Sequence, residues 1–264
     1  MRFFLQYAPL SRYCVPWRAA SLAKNSWNHS QNQFLRKRTR AQRFPGNYRP
    51  NVRIDFSTPC TEIQGFDLER PSDTCIWTPE RVWTQDANGK IQTSRSEPRG
   101  AYEGHTRESK WDQLHLTYFM GYALWNYTSI PFALAGPGFE CREIEEHWES
   151  GYVNSSGVAE SWRVLDVTFP QNYHAHTRKQ KFYFDREKLW IRRMDYVADV
   201  AKGVATHYCF DHRVVNGIVL PMRRRVVRRD PETNIPMVFG PTSFVVDYFD
   251  VELDDGSHKL PLVL

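Results

Sequence analysis

The chain has 264 residues, of which 41% are hydrophobic and 25% charged, and its formal charge at pH 7 is +5. Residues 1–54 hold 11 of the 35 basic residues and no acidic residue, so the remainder has 24 basic against 30 acidic residues. Because the remainder is mildly acidic, the sequence argues against a nucleic-acid-binding surface. It also contains no run of 18 apolar residues, so no membrane-spanning helix is predicted.

The basic N-terminal arm, residues 1–50, is predicted to lie outside a single folded domain at residues 51–264. Its basic, acid-free composition is compatible with a solvated arm, a mitochondrial presequence or a translated leader. Pro9 and Pro16 would interrupt an amphipathic helix, which weakens the presequence interpretation. The five cysteines are scattered and include no CxxC pair, which favours a reducing compartment. We therefore expect a cytoplasmic protein, with mitochondrial import through the arm as the alternative.

Short strands are predicted from residue 52 onward. "VRIDFST" and "IQGFDLER" are rich in β-branched and aromatic residues, and "CIWTPERVWTQDANGKIQTSRS" is typical of a hairpin. Its Asn88-Gly89 pair predicts a type I′ turn, in which both central residues have positive φ.

One long helix is predicted over residues 110–127, because "WDQLHLTYFMGYALWNY" is apolar on nearly every side. Ser109 and Asp112 have the spacing of a capping box at its start. Pro131 prevents the helix from continuing much beyond Tyr127.

Strand pairs follow the helix. "CREIEEHW" precedes "SWRVLDVTF", "QKFYFD" precedes "LWIRRMDYVAD", and "VATHYCFDHRVV" meets "GIVLPMRRRVVRRD" across a second type I′ signal at Asn216-Gly217. "PMVFGPTSFVVDYFDVEL" is the last strand region. The predicted class is therefore α+β: a curved antiparallel sheet, an open or half barrel, wrapped around the helix. A helix that is apolar on most sides must be buried on most sides.

The blocks "YFMGYALWNY", "FYFD" and "HYCFDHR", in this order, resemble those of a widespread uncharacterised protein family. The resemblance runs from about Arg81 to Asp250 and implies no established activity. The meander around one helix is also similar in architecture to the LolA-like carrier fold. One enzyme of the violacein pathway has that architecture and works without a cofactor.

The candidate catalytic residues begin with a helical stripe. Asp112, His115 and Tyr118 follow one another at intervals of three, so they lie along one side of the predicted helix. An imidazole held by a carboxylate and facing a phenol can transfer protons near neutral pH. The alternative is a buried helix whose polar atoms are simply satisfied.

Two further histidines complete the catalytic set. In "HYCFDHR", His207 and Asp211 share one face of a regular strand, so the carboxylate could orient the imidazole. "HAH" predicts His174 and His176 on one face at the start of a strand, where they could hold a metal. Because no carboxylate follows within a few residues, we expect no metal and take His176 as an acid/base group.

The candidate substrate-binding residues are mostly aromatic and lie on or beside the helix. His105 lies just before it, where the free N–H groups of the first turn could meet an anionic ligand. The other four belong to the helical segment itself: Trp111, Phe119, Tyr122 and Trp125.

The leading hypothesis is a cofactor-independent isomerase or cyclase of secondary metabolism, acting on a hydrophobic small molecule in an aromatic-lined pocket. The sequence contains none of the phosphate-binding, dinucleotide-binding, nucleophile-elbow or zinc-protease motifs, and we expect no cofactor. The alternative is a non-catalytic carrier or binding protein for a lipophilic ligand. Converging titratable groups would favour the enzyme, whereas an apolar interior suffices for the carrier. The oligomeric state is left open.

Overall fold

The computed structural model describes residues 14–21, 49–56, 58–153, 159–238 and 242–252. These residues form thirteen β-strands, one α-helix and two short 3₁₀ helices, Gly100–Tyr102 and Phe132–Ala135. The strands and helix are β1 Cys14–Ser21, β2 Asn51–Asp55, β3 Cys60–Gln64, β4 Thr74–Trp77, β5 Arg81–Gln85, β6 Ile91–Ser96, α1 Gln113–Ser129, β7 Glu140–Val153, β8 Ala159–Thr168, β9 Lys179–Asp185, β10 Ile191–Ala198, β11 Gly203–Val215, β12 Ile218–Arg228 and β13 Thr242–Val251.

All thirteen strands belong to one antiparallel sheet in the order β6-β5-β4-β3-β2-β1-β13-β12-β11-β10-β9-β8-β7. The predicted antiparallel sheet with one helix is confirmed, and the sheet is not closed. The two edge strands, β6 and β7, are consecutive in the chain. The segment between them contains α1 and therefore has to cross one face of the sheet. No helix within the described ranges is long and apolar enough to span a membrane.

The sheet is curved around α1, as two contacts of neighbouring helix residues show. Gly121 lies against Trp77 of β4, while the Tyr122 hydroxyl reaches His176, whose ring stacks at 4.1 Å on Tyr196 of β10. In a flat sheet β4 and β10 would be about 34 Å apart, whereas a helix with its side chains is only about 10–12 Å wide. Both strands can contact the helix only because the sheet bends around it.

The helix begins later than the sequence predicts. Asp112 is the N-cap: its carboxylate accepts from the His115 backbone N–H at 2.8 Å, and the His115 Nδ1 accepts from the Asp112 backbone N–H at 3.2 Å. The capping box therefore joins Asp112 and His115 rather than Ser109 and Asp112. At the other end Ile130 is already extended, because the residue before a proline is disfavoured in the helical conformation.

Gly121 sets how closely the helix approaches the sheet. A Cβ at this position would lie 2.2 Å from the Cβ of Trp77, so only glycine allows the observed contact. The Thr61 hydroxyl of β3 donates to the Gly121 carbonyl at 3.0 Å and fixes the same point. Consistent with this, the helix backbone lies against β2–β6.

The two predicted type I′ turns differ in outcome. Asn216 and Gly217 have φ of 47° and 82°, which confirms the turn between β11 and β12. Gly89 has φ of 80°, but Asn88 does not have positive φ, so the first prediction is wrong. There the Asp86 carboxylate accepts from the N–H groups of Asn88 and Lys90 and stabilises a longer turn.

Part of the predicted N-terminal arm lies in the sheet. Strand β1 pairs with β2 on one side and β13 on the other. Of the segment 1–50, the structure describes residues 14–21 and 49–50, and the division of the chain at residue 50 stays a prediction.

Candidate functional site

A row of tyrosine–histidine pairs joins α1 to the loop between β8 and β9. Tyr118 and Tyr122 are four residues apart on the helix, which is about 6 Å along its axis, a distance that two loop residues can span. The Tyr118 hydroxyl lies 3.0 Å from His174 Nδ1, and the Tyr122 hydroxyl lies 3.0 Å from His176 Nδ1. The "HAH" segment is thus a loop, not the predicted strand start, and it presents both imidazoles to the helix.

From His176 a chain of polar contacts continues into the half of the sheet formed by β10–β12. His176 Nε2 lies 3.0 Å from the Tyr127 hydroxyl, which lies 3.3 Å from the Tyr196 hydroxyl. Tyr196 is 3.4 Å from His207 Nδ1, and His207 Nε2 is 3.5 Å from a guanidinium nitrogen of Arg224. All five side chains are buried. We call this set, with Tyr122, the central cluster.

Arg224 fixes the direction of these hydrogen bonds, because a guanidinium can only donate. His207 Nε2 must accept from Arg224, so its Nδ1–H donates to Tyr196. Tyr196 then donates to Tyr127, and Tyr127 donates to His176 Nε2. The remaining proton of His176 is on Nδ1 and points to Tyr122. Each imidazole therefore has one donor and one acceptor nitrogen, as in the neutral ring.

Burial keeps the central cluster uncharged apart from Arg224. It lowers the pKa of His176 to about 3, helped by the positive charge of Arg99. Burial also lowers the pKa of His207 well below its usual value, with Arg224 acting in the same direction. Desolvation raises the pKa of Tyr127 well above the ordinary phenol value. None of these groups exchanges protons readily near neutral pH.

The predicted stripe on the helix does not form one site. His115 lies at the N-terminus of α1, where its Nε2 is 3.2 Å from the Ala101 carbonyl and must donate to it. Its backbone carbonyl accepts from the Tyr102 hydroxyl at 2.5 Å. Hydrogen bonds from Arg95 and from the His115 N–H lower the pKa of Asp112 to about 2, although partial burial opposes them. Asp112 and His115 thus hold the helix start.

Tyr118 belongs to a second polar group, which is open to solvent on one side. A guanidinium nitrogen of Arg99 donates to the Tyr118 hydroxyl at 3.2 Å and to the Ala175 carbonyl at 3.0 Å. Its other terminal nitrogen donates to Asp199 at 3.2 Å. Because Arg99 can only donate, Tyr118 donates its own proton to His174.

The predicted binding residues do not line one common site. His105 and Trp111 pack with Tyr102 at the helix start, with ring centroids 5.6 and 5.1 Å away. Phe119 contacts the central cluster through His176 at 5.6 Å. Trp125 lies on the other side, against Trp77 of β4 at 5.9 Å, and its ring nitrogen donates to the Asp55 carbonyl.

The predicted orienting carboxylate of His207 is not in place. Asp211 has φ of 51°, which departs from the regular strand that the prediction assumes. It is exposed and pairs with Arg213 at 2.9 Å. The assignment of catalytic roles to Asp112, His115, Tyr118, His176 and His207 stays a prediction. Within the described ranges no three His, Cys, Asp or Glu side chains are grouped as metal ligands.

Four residues of the site were not predicted: Arg99, Tyr127, Tyr196 and Arg224. Two sequence signals for Arg224 were available. The alternation of "MRRRVV" places it on the opposite face from Arg223 and Arg225. In addition, Pro131 lies four residues after Tyr127 and has no N–H to bond the Tyr127 carbonyl, which therefore needs another donor.

Comparison with solved structures identifies the architecture. The structure of a LolA superfamily protein from Nitrosomonas europaea superposes with a TM-score of 0.51 at 10% identity, covering 98% of this chain and 94% of that chain. The fold is LolA-like. A DUF1329 family protein from Desulfovibrio piger gives 0.47 at 11% identity, with 97% and 91% of the two chains covered. A putative outer membrane lipoprotein-sorting protein domain from Vibrio parahaemolyticus gives 0.44 at 9%, with 93% and 87% covered.

No protein-family model matches the chain, and no curated protein matches its sequence. The predicted LolA-like architecture is confirmed by the fold. The expectation of an isomerase or cyclase of secondary metabolism is wrong. The solved structure that shares the fold is that of a LolA superfamily protein. The imidazoles of His176 and His207, which were expected to move protons, are neutral and bonded within the chain.

Proposed function

We propose that this protein is a non-catalytic carrier or binding protein for a lipophilic small molecule, which it holds between α1 and the β9–β12 half of the curved sheet. The observation that carries the proposal is the unequal packing of the helix. Its backbone lies directly against β2–β6, whereas it reaches β10–β12 through the long side chains of the central cluster.

The inner face of β9–β12 has the composition that such a ligand needs. Its buried side chains are large and apolar: Phe182 and Phe184 of β9, Met194 of β10, and Leu220 and Met222 of β12. Aliphatic, aromatic and thioether side chains bind hydrocarbon mainly through the hydrophobic effect. The long methionine side chains can also adapt their shape to a guest.

The polar groups of the same interior support binding rather than catalysis. In the central cluster each imidazole is engaged at both nitrogens by another side chain. A general acid or base must instead present a free lone pair or proton to its substrate. The hydrogen bonds align α1 with the sheet and leave the apolar surface to the ligand.

A saturable, environment-sensitive dye provides the test. Nile red, which is neutral, should bind with a blue shift at about one equivalent and be displaced by 1-dodecanol. Met222→Trp adds volume on the inner face and should weaken dye binding at least about fivefold, because a filled site excludes the guest. Val219→Trp of the same strand adds its bulk on the outer face and is the matched control.

The melting temperature of both variants should be measured alongside dye binding. Loss of binding with a retained cooperative melt in Met222→Trp, and unchanged binding in Val219→Trp, supports the proposal. Equal effects of the two variants, or no saturable binding by the wild-type protein, would refute the proposed site.

A further inference from the structure

Arg224 is a fully buried cation on the inner face of β12. Its side chain is 1% exposed and lies among groups of the central cluster and the sheet. One terminal nitrogen contacts the Cys209 sulfur at 3.3 Å and His207 Nε2 at 3.5 Å. The other donates to the Tyr127 carbonyl. The guanidinium also lies over the rings of Tyr127 and Tyr248, 5.2 and 5.8 Å from their centroids.

The bond to Tyr127 explains part of this placement. The Tyr127 carbonyl belongs to the last turn of α1, and its helical donor would be the N–H that Pro131 lacks. Arg224 supplies the donor and places a positive charge at the negative end of the helix dipole. This accounts for one edge of the guanidinium, whereas Nε has no hydrogen-bond partner.

Among the described residues no negative charge compensates Arg224, since it forms no ion pair with any Asp or Glu of that part of the chain. Burial raises the pKa of the Cys209 thiol despite the opposing effect of Arg224, and it raises the pKa of Tyr248 to about 12. His207 is neutral as well. A buried charge in a protein ordinarily has an ionic partner, because leaving water costs several kcal/mol.

Arg193 shows what a compensated buried arginine looks like in the same sheet. It lies on the outer face of β10, is 2% exposed, and forms ion pairs at 2.8 Å with both Asp195 and Glu149. The Tyr183 and Thr206 hydroxyls complete the hydrogen bonding of Asp195. Among the described residues, the outer face therefore balances its buried cation, whereas the inner face does not.

We infer that the lipophilic ligand carries an anionic head group, a carboxylate or a phosphate monoester, which binds Arg224 while its hydrocarbon chain lies along the inner face of β9–β12. This rests on the proposed function and adds the chemical class of the ligand. The unbonded Nε edge of Arg224 offers the donor, and the adjacent Met222 and Leu220 supply the apolar surface. A guanidinium suits both anions, since it can donate two parallel hydrogen bonds to a carboxylate or phosphate.

The experiment compares ligands that share one twelve-carbon chain: laurate, dodecyl phosphate and 1-dodecanol, each displacing Nile red from the wild-type protein. Acetate and inorganic phosphate serve as the anions without a chain. We expect at least about tenfold tighter binding of one or both anionic amphiphiles than of the alcohol, since charge-assisted hydrogen bonds are about twice as strong as neutral ones. The free anions should not displace the dye.

Two variants and one control locate the selectivity. Arg224→Met removes the charge at similar length and should bring the affinities for laurate and dodecanol close to equality. Arg224→Lys keeps the charge and should retain part of the preference. Arg225→Met is the control, because Arg225 is on the outer face of the same strand and pairs with Asp247 at 2.6 Å. Its preference should equal that of the wild type.

Each outcome decides a separate point. Equal binding of laurate and dodecanol by the wild type overturns this inference and leaves the proposed function intact, whereas no binding of any amphiphile or dye overturns both. A preference that persists in Arg224→Met, or displacement by the free anions, also overturns the inference. Should Arg224→Met fail to fold, the ¹⁵Nε–H signal of Arg224 in the wild type decides. Laurate but not dodecanol should shift it, and an unmoved signal contradicts the inference.

Discussion

The buried histidines make a sharp prediction for the pH dependence of stability. His176 is 2% exposed, and its pKa is lowered to about 3 because burial, assisted by the charge of Arg99, disfavours the imidazolium. In the unfolded chain a histidine has a pKa of about 6.5. Between these two values the unfolded chain binds a proton that the folded protein does not. Stability is therefore complete above pH 6.5 and falls as the pH is lowered toward the folded pKa.

The magnitude follows from this linkage. One such histidine reduces the free energy of unfolding by up to about 1.4 kcal/mol per pH unit, or about 2 kcal/mol between pH 7 and pH 5. The pKa of His207 is also lowered by burial, and that of His212 is lowered to about 4 for the same reason. His176 and His212 together should remove roughly 4 kcal/mol over this range, and His207 acts in the same direction. This is a large share of the 5–15 kcal/mol typical of a native protein.

Urea unfolding followed by tryptophan fluorescence at pH 7, 6 and 5 measures the effect. His176→Gln removes one titrating group, so its free energy of unfolding should fall about 2 kcal/mol less than that of the wild type between pH 7 and pH 5. Tyr122→Phe is the control: it loses a hydrogen bond to His176 but keeps the imidazole, so its curve should lie lower and parallel. A His176→Gln curve parallel to the wild type would refute the neutral, buried imidazole.

Three further predictions concern stability and can be checked by the same urea melts at pH 7. Gly121→Ala should lower the free energy of unfolding by about 3 kcal/mol or more, because its Cβ would overlap Trp77. Gly203→Ala is the control and should leave the free energy of unfolding nearly unchanged, because a Cβ there would lie in open space. Equal effects of the two variants would contradict the close approach of the helix to the sheet. Asp112→Ala should lower the free energy of unfolding by about 1 kcal/mol because it removes the helix cap, whereas Asp112→Ser should keep most of that stability. Equal stabilities of the two variants would argue against capping. Arg193→Met should lower the free energy of unfolding by about 3–5 kcal/mol, because Glu149 and Asp195 lose their nearest cation and Asp195 keeps only Arg229 at 4.0 Å. A loss below about 1 kcal/mol would show that the outer-face ion pairs are solvated.

The sequence predicts the strands and the helix well because their signals are local. The alternation of "HYCF" and "MRRRVV" follows from the two-residue period of a strand, and it places His207 and Arg224 on the inner face. The first residue of the helix is harder to predict, because Ser109 and Asp112 both have residue types that are common at helix N-caps. Only the tertiary contacts of His115 with Ala101 decide between them.

The site was harder to predict because its contacts are not local. Tyr118 and His174 are 56 residues apart in the sequence, and Arg224 and Tyr127 are 97 residues apart. The protonation of His176 depends on burial and on the donors around it, and no residue pattern specifies either. An Asp–His–Tyr spacing on a helix is therefore equally compatible with acid/base catalysis and with a bonded, neutral core. Asp211 shows a similar limit: its positive φ departs from the regular strand that the alternation assumes, and its exposed carboxylate pairs with Arg213.

The two halves of the sheet differ in how they could admit a guest. On the β4 side the helix and the sheet are closely packed, because even a Cβ at Gly121 would overlap Trp77. On the β10–β12 side the helix is held by hydroxyl, imidazole and guanidinium contacts of 3.0–3.5 Å between side chains that can rotate. A hydrocarbon guest would therefore separate α1 from β10–β12 while α1 stays anchored at Gly121. Arg224 is a cation of this separating interface, so the part of the guest that lies beside it should be the anionic end.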